Sequence, residues 1–204
     1  MVITKLEEIG KAKVKVYIDE EYHFLLYQKD IKIHGLKENE SISNAVYEDI
    51  IVNTVIRRAK QKAFAILKTM DRTEQELSTK LKQSNYTDEV ILKVIEYMKS
   101  YHYIDDARYA SNYVYHKKNS KSKRQIQIEM TQKGIEKEYM EEAFSQEYED
   151  EETAIQKAIN KKCKGLDNMT KEEKLKLSMF LYRKGFQMDL IKKYVNASDL
   201  DNID

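Results

Sequence analysis

Glu76-Leu77-Ser78-Thr79-Lys80-Leu81-Lys82-Gln83-Ser84-Asn85-Tyr86-Thr87-Asp88-Glu89-Val90-Ile91 reads as the end of one helix and the start of the next. Leu77 and Leu81, four residues apart, share a helix face. Asn85 suits the left-handed position that stops a helix, and Tyr86 follows to pack back on it. Glu89 then falls in the first turn of the next helix, where the dipole favours a carboxylate. The phrase returns twice more. Ile126, Met130, Gly134, Ile135, Glu138 and Met140 form the second copy; Leu177, Leu181, Gly185, Phe186, Asp189 and Ile191 form the third, at offsets of 49 and then 51 residues. A period near 50 residues built from such joints predicts a tandem helical array, not a single-core enzyme fold.

Working outward, each copy is flanked by helical stretches. The first repeat has helices near 57–70, 73–84 and 87–101, with Thr73 and Glu76 in capping-box spacing. The second has helices near 105–117, 122–133 and 136–146, with Ser122 in the place of Thr73. The third has helices near 149–164, 171–184 and 187–196, with Thr170 and Glu173 again spaced as a capping box. Only residues 1–34 have strand character: Val14, Val16 and Ile18 alternate with Lys13, Lys15 and Tyr17. Asp19-Glu20-Glu21 turns the chain and Tyr22 to Tyr27 returns it. A lone hairpin is marginal, so it is expected to dock on the helix that follows. Ser41 or Ser43 caps a long helix reaching about Met70, with Val52, Val55, Ile56, Ala59, Ala63, Ile66, Leu67 and Met70 as its apolar stripe.

The predicted fold is mostly α: tandem three-helix repeats in an elongated, curved array, with a small N-terminal β-hairpin. The expected boundaries are 1–42 for the hairpin extension, 43–101 for the entry helix and first repeat, 102–146 for the second repeat, and 147–204 for the third repeat with an acidic tail from Ser198 to Asp204. Composition agrees. The 204 residues include no proline and five glycines, and 35% are charged, which calls for a large surface. The single cysteine, Cys163, excludes an internal disulfide framework and suits a reducing compartment. With no signal-peptide core and no apolar run near a membrane span, the chain is expected to be cytoplasmic and off the membrane, and the charged caps of its end repeats lead to the expectation of a monomer.

The overall charge of +1 is unevenly spread. Residues 1–56 hold seven cations against ten acids, and residues 57–101 hold ten against six. Three places stand out. The first is Lys117-Lys118-Asn119-Ser120-Lys121-Ser122-Lys123-Arg124, five cations without an acid across a loop that opens a helix. Free N–H groups and the positive end of the dipole point there, as in a phosphate site, although a solvated loop has the same composition. The second is the basic set Arg57, Arg58, Lys60, Lys62, Lys68 and Arg72. Arg72, at a helix joint, is the strongest of these, with a plain Arg72–Glu76 or Asp71–Arg72 surface pair as the alternative. The third, Tyr101 to Tyr109, reads mainly as interhelical aromatic packing, with Asp105 or Asp106 as a cap.

Catalytic signals are weak. The glycines are isolated, the four histidines show no metal-ligand spacing, and Cys163 has no histidine near it in sequence, so no enzyme activity, metal or cofactor is expected.

At the joints the sequence resembles the bacterial RecX family, regulators of the recombinase RecA. The resemblance rests on Asp71-Arg72-Thr73-Glu74-Gln75-Glu76-Leu77, Tyr103-Ile104-Asp105-Asp106-Ala107-Arg108-Tyr109-Ala110, Ser120 to Ile126, Gln132-Lys133-Gly134-Ile135 and Arg183-Lys184-Gly185-Phe186, in order over about residues 57–195. His102 stands where the family usually has glycine, and Ser120 near its usual Gly-Pro. The resemblance implies a protein that binds in the groove of the RecA–DNA filament and modulates, usually restrains, ATPase, strand exchange and coprotease activities. The modest overall charge and the lack of a base-reading face lead to an expectation of weak, non-specific contacts with single- and double-stranded DNA. Lys117, Lys118, Lys121, Lys123 and Arg124 are the candidate contact residues, with Arg57, Arg58 and Arg72 on a neighbouring surface. The rival reading is a stand-alone DNA-binding protein with helix-turn-helix-like repeats, against which no helix shows an Arg, Asn and Gln reading face.

Overall fold

The structure, a computed structural model, describes residues 1–163, 166 and 169–195. The acidic tail expected from Ser198 onward lies outside them. The chain divides into two compact units, Met1–Asp105 and Asp106–Asp204.

In the first unit the expected hairpin is present as β2 (Lys13–Ile18) and β3 (Glu21–Tyr27), with Val14 opposite Leu26 and Val16 opposite Phe24. Asp19 and Glu20 both take left-handed backbone, φ 48° and 71°, the geometry whose twist matches a tight hairpin. Such backbone is strained for residues with a side chain. Here it is tied down: Val2 N–H donates to Asp19 Oδ1 at 2.9 Å and Glu20 N–H to Thr4 Oγ1 at 3.0 Å. Those ties come from Val2 and Thr4, at the start of a third strand, β1 (Ile3–Ile9), which pairs antiparallel with β2, so the sheet order is β1-β2-β3. Its Lys5, Glu7 and Glu8 suit an exposed edge and hide the strand from periodicity.

After α1 (Gln28–Ile33), Ser43 caps α2 (Asn44–Asp49) by accepting from Val46 N–H at 3.3 Å. The helix continues through a π segment, Ile50–Ile56, into α3 (Arg57–Leu67). The wider turn moves the apolar stripe. Ile50, Ile51 and Val55 enter the core ahead of Ala59 and Ala63, whereas Val52, assigned to the stripe by spacing, is 52% exposed. Met70, past the end of α3, is 54% exposed. With α4 (Glu74–Lys82) and α5 (Asp88–Ser100) this completes the first repeat. Sheet and repeat bury one common core, from Ile18, Phe24 and Leu26 to Leu77, Leu81 and Met98. The Tyr22 hydroxyl donates to the carbonyl of Asn85, fastening sheet to joint, and burial pushes that phenol up to about 12.

The second unit holds two further repeats, each on its own core. One comprises α6 (Asp106–Lys117), α7 (Lys123–Gln132) and α8 (Lys137–Glu147) around Val114, Ile126, Met130 and Phe144. The other comprises α9 (Glu152–Lys162), α10 (Lys171–Arg183) and α11 (Met188–Val195) around Ile155, Leu177, Leu181 and Phe186.

The three joints are equivalent. Asn85, Gly134 and Gly185 take φ 65°, 79° and 89°. Tyr86, Ile135 and Phe186 donate backbone N–H groups to Leu81, Met130 and Leu181 carbonyls at 3.1–3.3 Å, the bond that closes a helix with a left-handed stop. His102 adopts φ 55°, which accounts for the glycine usual there in the resembled family.

Candidate nucleic-acid and filament interface

Between α6 and α7 the chain turns within five residues, with Ser120 and Lys121 N–H groups donating to the Lys117 carbonyl at 2.9 and 3.0 Å. Ser122 then caps α7: its hydroxyl accepts from Gln125 N–H at 3.1 Å and donates to the Lys184 carbonyl at 2.6 Å. This buried hydroxyl joins the second and third repeats. Gly185 completes the joint, since a Cβ there would lie 2.8 Å from Ser122 Oγ and 3.2 Å from Arg124 Cβ.

The loop looks purely cationic in sequence, but most of its ammonium groups meet a partner in space, one of them a carboxylate. Lys118 Nζ donates to the Glu147 carbonyl at 2.8 Å. Lys121 Nζ reaches both oxygens of Glu129 at 2.5 and 2.7 Å, and the same carboxylate accepts from Tyr113 at 2.6 Å. Burial alone would raise the Glu129 carboxyl; the bonds from Lys121 and Tyr113 outweigh it and hold the group below its ordinary value. Lys117 and Lys123 lay their ammoniums over the rings of Tyr113 and Phe144 at 5.9 and 5.1 Å. The helix start expected to offer free N–H groups is filled, because Lys123 N–H donates to Glu151 Oε1 at 2.5 Å and Ser122 takes Gln125. The acid comes from outside the loop, 28 residues on, where local reading does not find it. Arg124 is exposed and has no acidic partner among the described residues.

The remaining candidates belong to the first unit. Arg57 is exposed. Arg58 grips Asp30 with both Nη atoms at 2.5 and 2.9 Å and stacks over Tyr27 at 4.8 Å. Burial would raise the Asp30 carboxyl, but Arg58 and the Tyr27 N–H hold it below the ordinary range. This fork is committed to the fold. Arg72 lies 3.8 Å from Glu76, as the surface-pair reading has it, and its Nε is buried without a hydrogen-bond partner. Tyr103 packs edge-on against Phe64 at 4.8 Å, and Tyr101 against Tyr97 at 4.8 Å, yet Tyr101 remains 61% exposed.

Sequence reading passed over a second cationic region. Lys157, Lys161, Lys162, Phe180 and Lys184 line, with Lys121, a cavity of about 580 Å³. Lys157 and Lys161 share an i,i+4 spacing on α9, a signal that was legible but carried no loop or glycine to mark it. Among the described residues, no group of His, Cys, Asp and Glu is arranged to hold a metal ion, and no helix is long and apolar enough to cross a membrane.

Fold and surface together define a protein of tandem three-helix domains with an N-terminal sheet and cationic inter-repeat clefts. The same three units are matched by family profiles: the first three-helix domain of RecX over residues 59–98, the second over 105–143 and the third over 149–195. The protein of Clostridium acetobutylicum named Regulatory protein RecX is 32% identical over 192 residues, covering 90% of both chains. A namesake from Clostridium botulinum is 31% identical over 203 residues, covering 96% of this chain and 95% of that protein. A crystal structure of regulatory protein RecX shares the fold at a TM-score of 0.64, with 21% identity, over 96% of this chain and 98% of that one. The chain belongs to the RecX family.

Proposed function

We propose that this chain binds the filament that RecA recombinase forms on DNA and restrains the recombinase, without enzymatic activity of its own. The observation that carries this reading is the likeness over nine-tenths of both chains to a protein named as a regulator. The surface is compatible with it. Arg57, Lys123 and Arg124 are exposed and can turn outward to phosphates or acidic side chains, whereas Arg58 is held by Asp30. A near-neutral net charge of +1 favours contacts that need protein and DNA together, because affinity for bare DNA follows the number of phosphates neutralised. The protein acts as a cytoplasmic monomer, and its contacts with single- and double-stranded DNA are weak and non-specific. The test is the double variant Lys123→Glu, Arg124→Glu in a recombinase ATPase assay. Loss of inhibition with a shallower salt dependence is expected. Unchanged inhibition and salt dependence remove both residues from the mechanism, and tight sequence-selective gel shifts without recombinase favour a stand-alone DNA binder.

A further inference from the structure

We propose that the cleft between α7, α9 and α10 is a binding site for a run of linked phosphates. Five lysines line it: Lys121, Lys157, Lys161, Lys162 and Lys184. None of its described lining residues is an acid. Glu129, beside Lys121, is already taken by that lysine and by Tyr113. Folding alone gives no reason for this arrangement. Lys161 and Lys162 sit in the last turn of α9, where the dipole favours cations, but Lys157 sits a turn earlier and repels Lys161 across an i,i+4 spacing. Lys162 and Lys184 come from different helices, yet both bring an ammonium to the one ring of Phe180, at 5.4 and 5.8 Å. Like charges gathered this way repel until an anion enters.

The geometry also selects the anion. The cavity, about 580 Å³, has the size of a small-molecule site. A neighbouring cavity of about 540 Å³ shares Gln125, Phe180 and Lys184 with it and adds Arg124 and Arg183, so the basic lining continues. Several separate point charges around two adjoining cavities fit successive phosphates better than one compact carboxylate. Phe180, half-buried, lines both cavities, and a base can stack on its ring once phosphates draw the two ammonium groups away. The phosphates belong either to a nucleic-acid strand or to a free oligophosphate such as a nucleoside triphosphate. The strand alternative rests on the filament reading above; the free ligand does not.

The experiment uses the full chain, fluorescein-labelled oligothymidylate and inorganic tripolyphosphate, with the double variant Lys157→Gln, Lys161→Gln. Both lysines are exposed and outside the core, so the variant is expected to keep the circular dichroism and urea midpoint of the parent. Tripolyphosphate is expected to raise the melting temperature of the parent, and the variant to bind it about tenfold or more weakly, through the loss of two phosphate partners. Displacement of the strand by tripolyphosphate identifies a nucleic-acid backbone as the occupant. Tripolyphosphate binding that leaves strand affinity untouched identifies a free oligophosphate. Phe180→Leu keeps every cation and is expected to weaken only ligands that carry a base. The proposal is overturned by a parent that binds neither compound, or by a double variant that binds both as the parent does. Recombinase inhibition without phosphate binding sinks the cleft alone, and phosphate binding without any effect on recombinase sinks the filament reading alone.

Discussion

In the loop between α6 and α7 nearly every cation meets a partner: Lys118 the Glu147 carbonyl, Lys121 the Glu129 carboxylate, Lys117 and Lys123 an aromatic face. On α9 and α10, Lys157 and Lys161 meet none among the described residues, and Lys162 and Lys184 share one ring. The loop concentrates its charge along the chain, and the fold then delivers acids to it from 8 to 28 residues away. The cleft does the reverse. Lys157, Lys161 and Lys162 on α9 and Lys184 just past α10 converge with no acid among the described lining residues. Charge density along the sequence therefore measures how much neutralisation a segment needs, and charge density left over in space marks where a ligand can supply it.

The joint between the two regions is the place to break this contrast outright. Gly185→Ala puts a Cβ into Ser122 Oγ and asks an L-residue to hold φ 89°. Strain and overpacking together are expected to cost about 2–4 kcal/mol. The measurement is the urea midpoint, and a midpoint equal to the parent's would show that the joint yields without cost.

A smaller effect separates the paired lysine from the unpaired ones. Lys121→Met leaves the half-buried Glu129 with one partner fewer, an expected loss of about 1–2 kcal/mol. Lys161→Gln is expected to be neutral or slightly stabilising. The pH dependence sharpens the difference. Glu129 sits below its ordinary value in the folded chain. Its contribution is therefore complete above the unfolded value of about 4.3 and drains away as pH falls through the lower folded value. Melting temperatures from pH 3 to 7 should show a smaller acid-side loss in Lys121→Met than in the parent, so that the two profiles converge as pH falls. Superimposable profiles would mean that Lys121 does not hold the carboxylate down.

The smallest expected effect is a response to salt. Repulsion between Lys157 and Lys161 is worth a few tenths of a kcal/mol. Sodium chloride should screen it and raise the melting temperature of the parent slightly, an increment that Lys157→Gln, Lys161→Gln should lack.

What the sequence disclosed and what it concealed follow the same logic of distance. The joints at Asn85, Gly134 and Gly185 are local: apolar pair, left-handed stop and following hydrophobe lie within ten residues, so they read directly and the structure bears them out. The hairpin was legible because Val14, Val16 and Ile18 alternate, but β1 was not, since the register shift between Ile3 and Lys5 interrupts its alternation and its far half is charged. The π segment has no compositional mark at all, which is why Val52 was placed inside and Ile50 overlooked. For the cations, only what is near in sequence was visible. A pair of Arg72 with Glu76 was one of the alternatives open at that joint; Arg58 with Asp30, and the Lys123 backbone N–H with Glu151, each span 28 residues and were not visible.

The π segment at Ile50–Ile56 also governs how this protein tolerates changes in length. Removing a single residue there would restore an uninterrupted α-helix and look harmless locally. It would also leave Ala59 and Ala63 facing the core much as they do now, since the wider turn absorbs about one extra residue, roughly the 100° that each α-helical residue advances. Loss of one residue is therefore expected to be tolerated within this segment, whereas the same loss from α3 turns its Ala59 and Ala63 face away from the core.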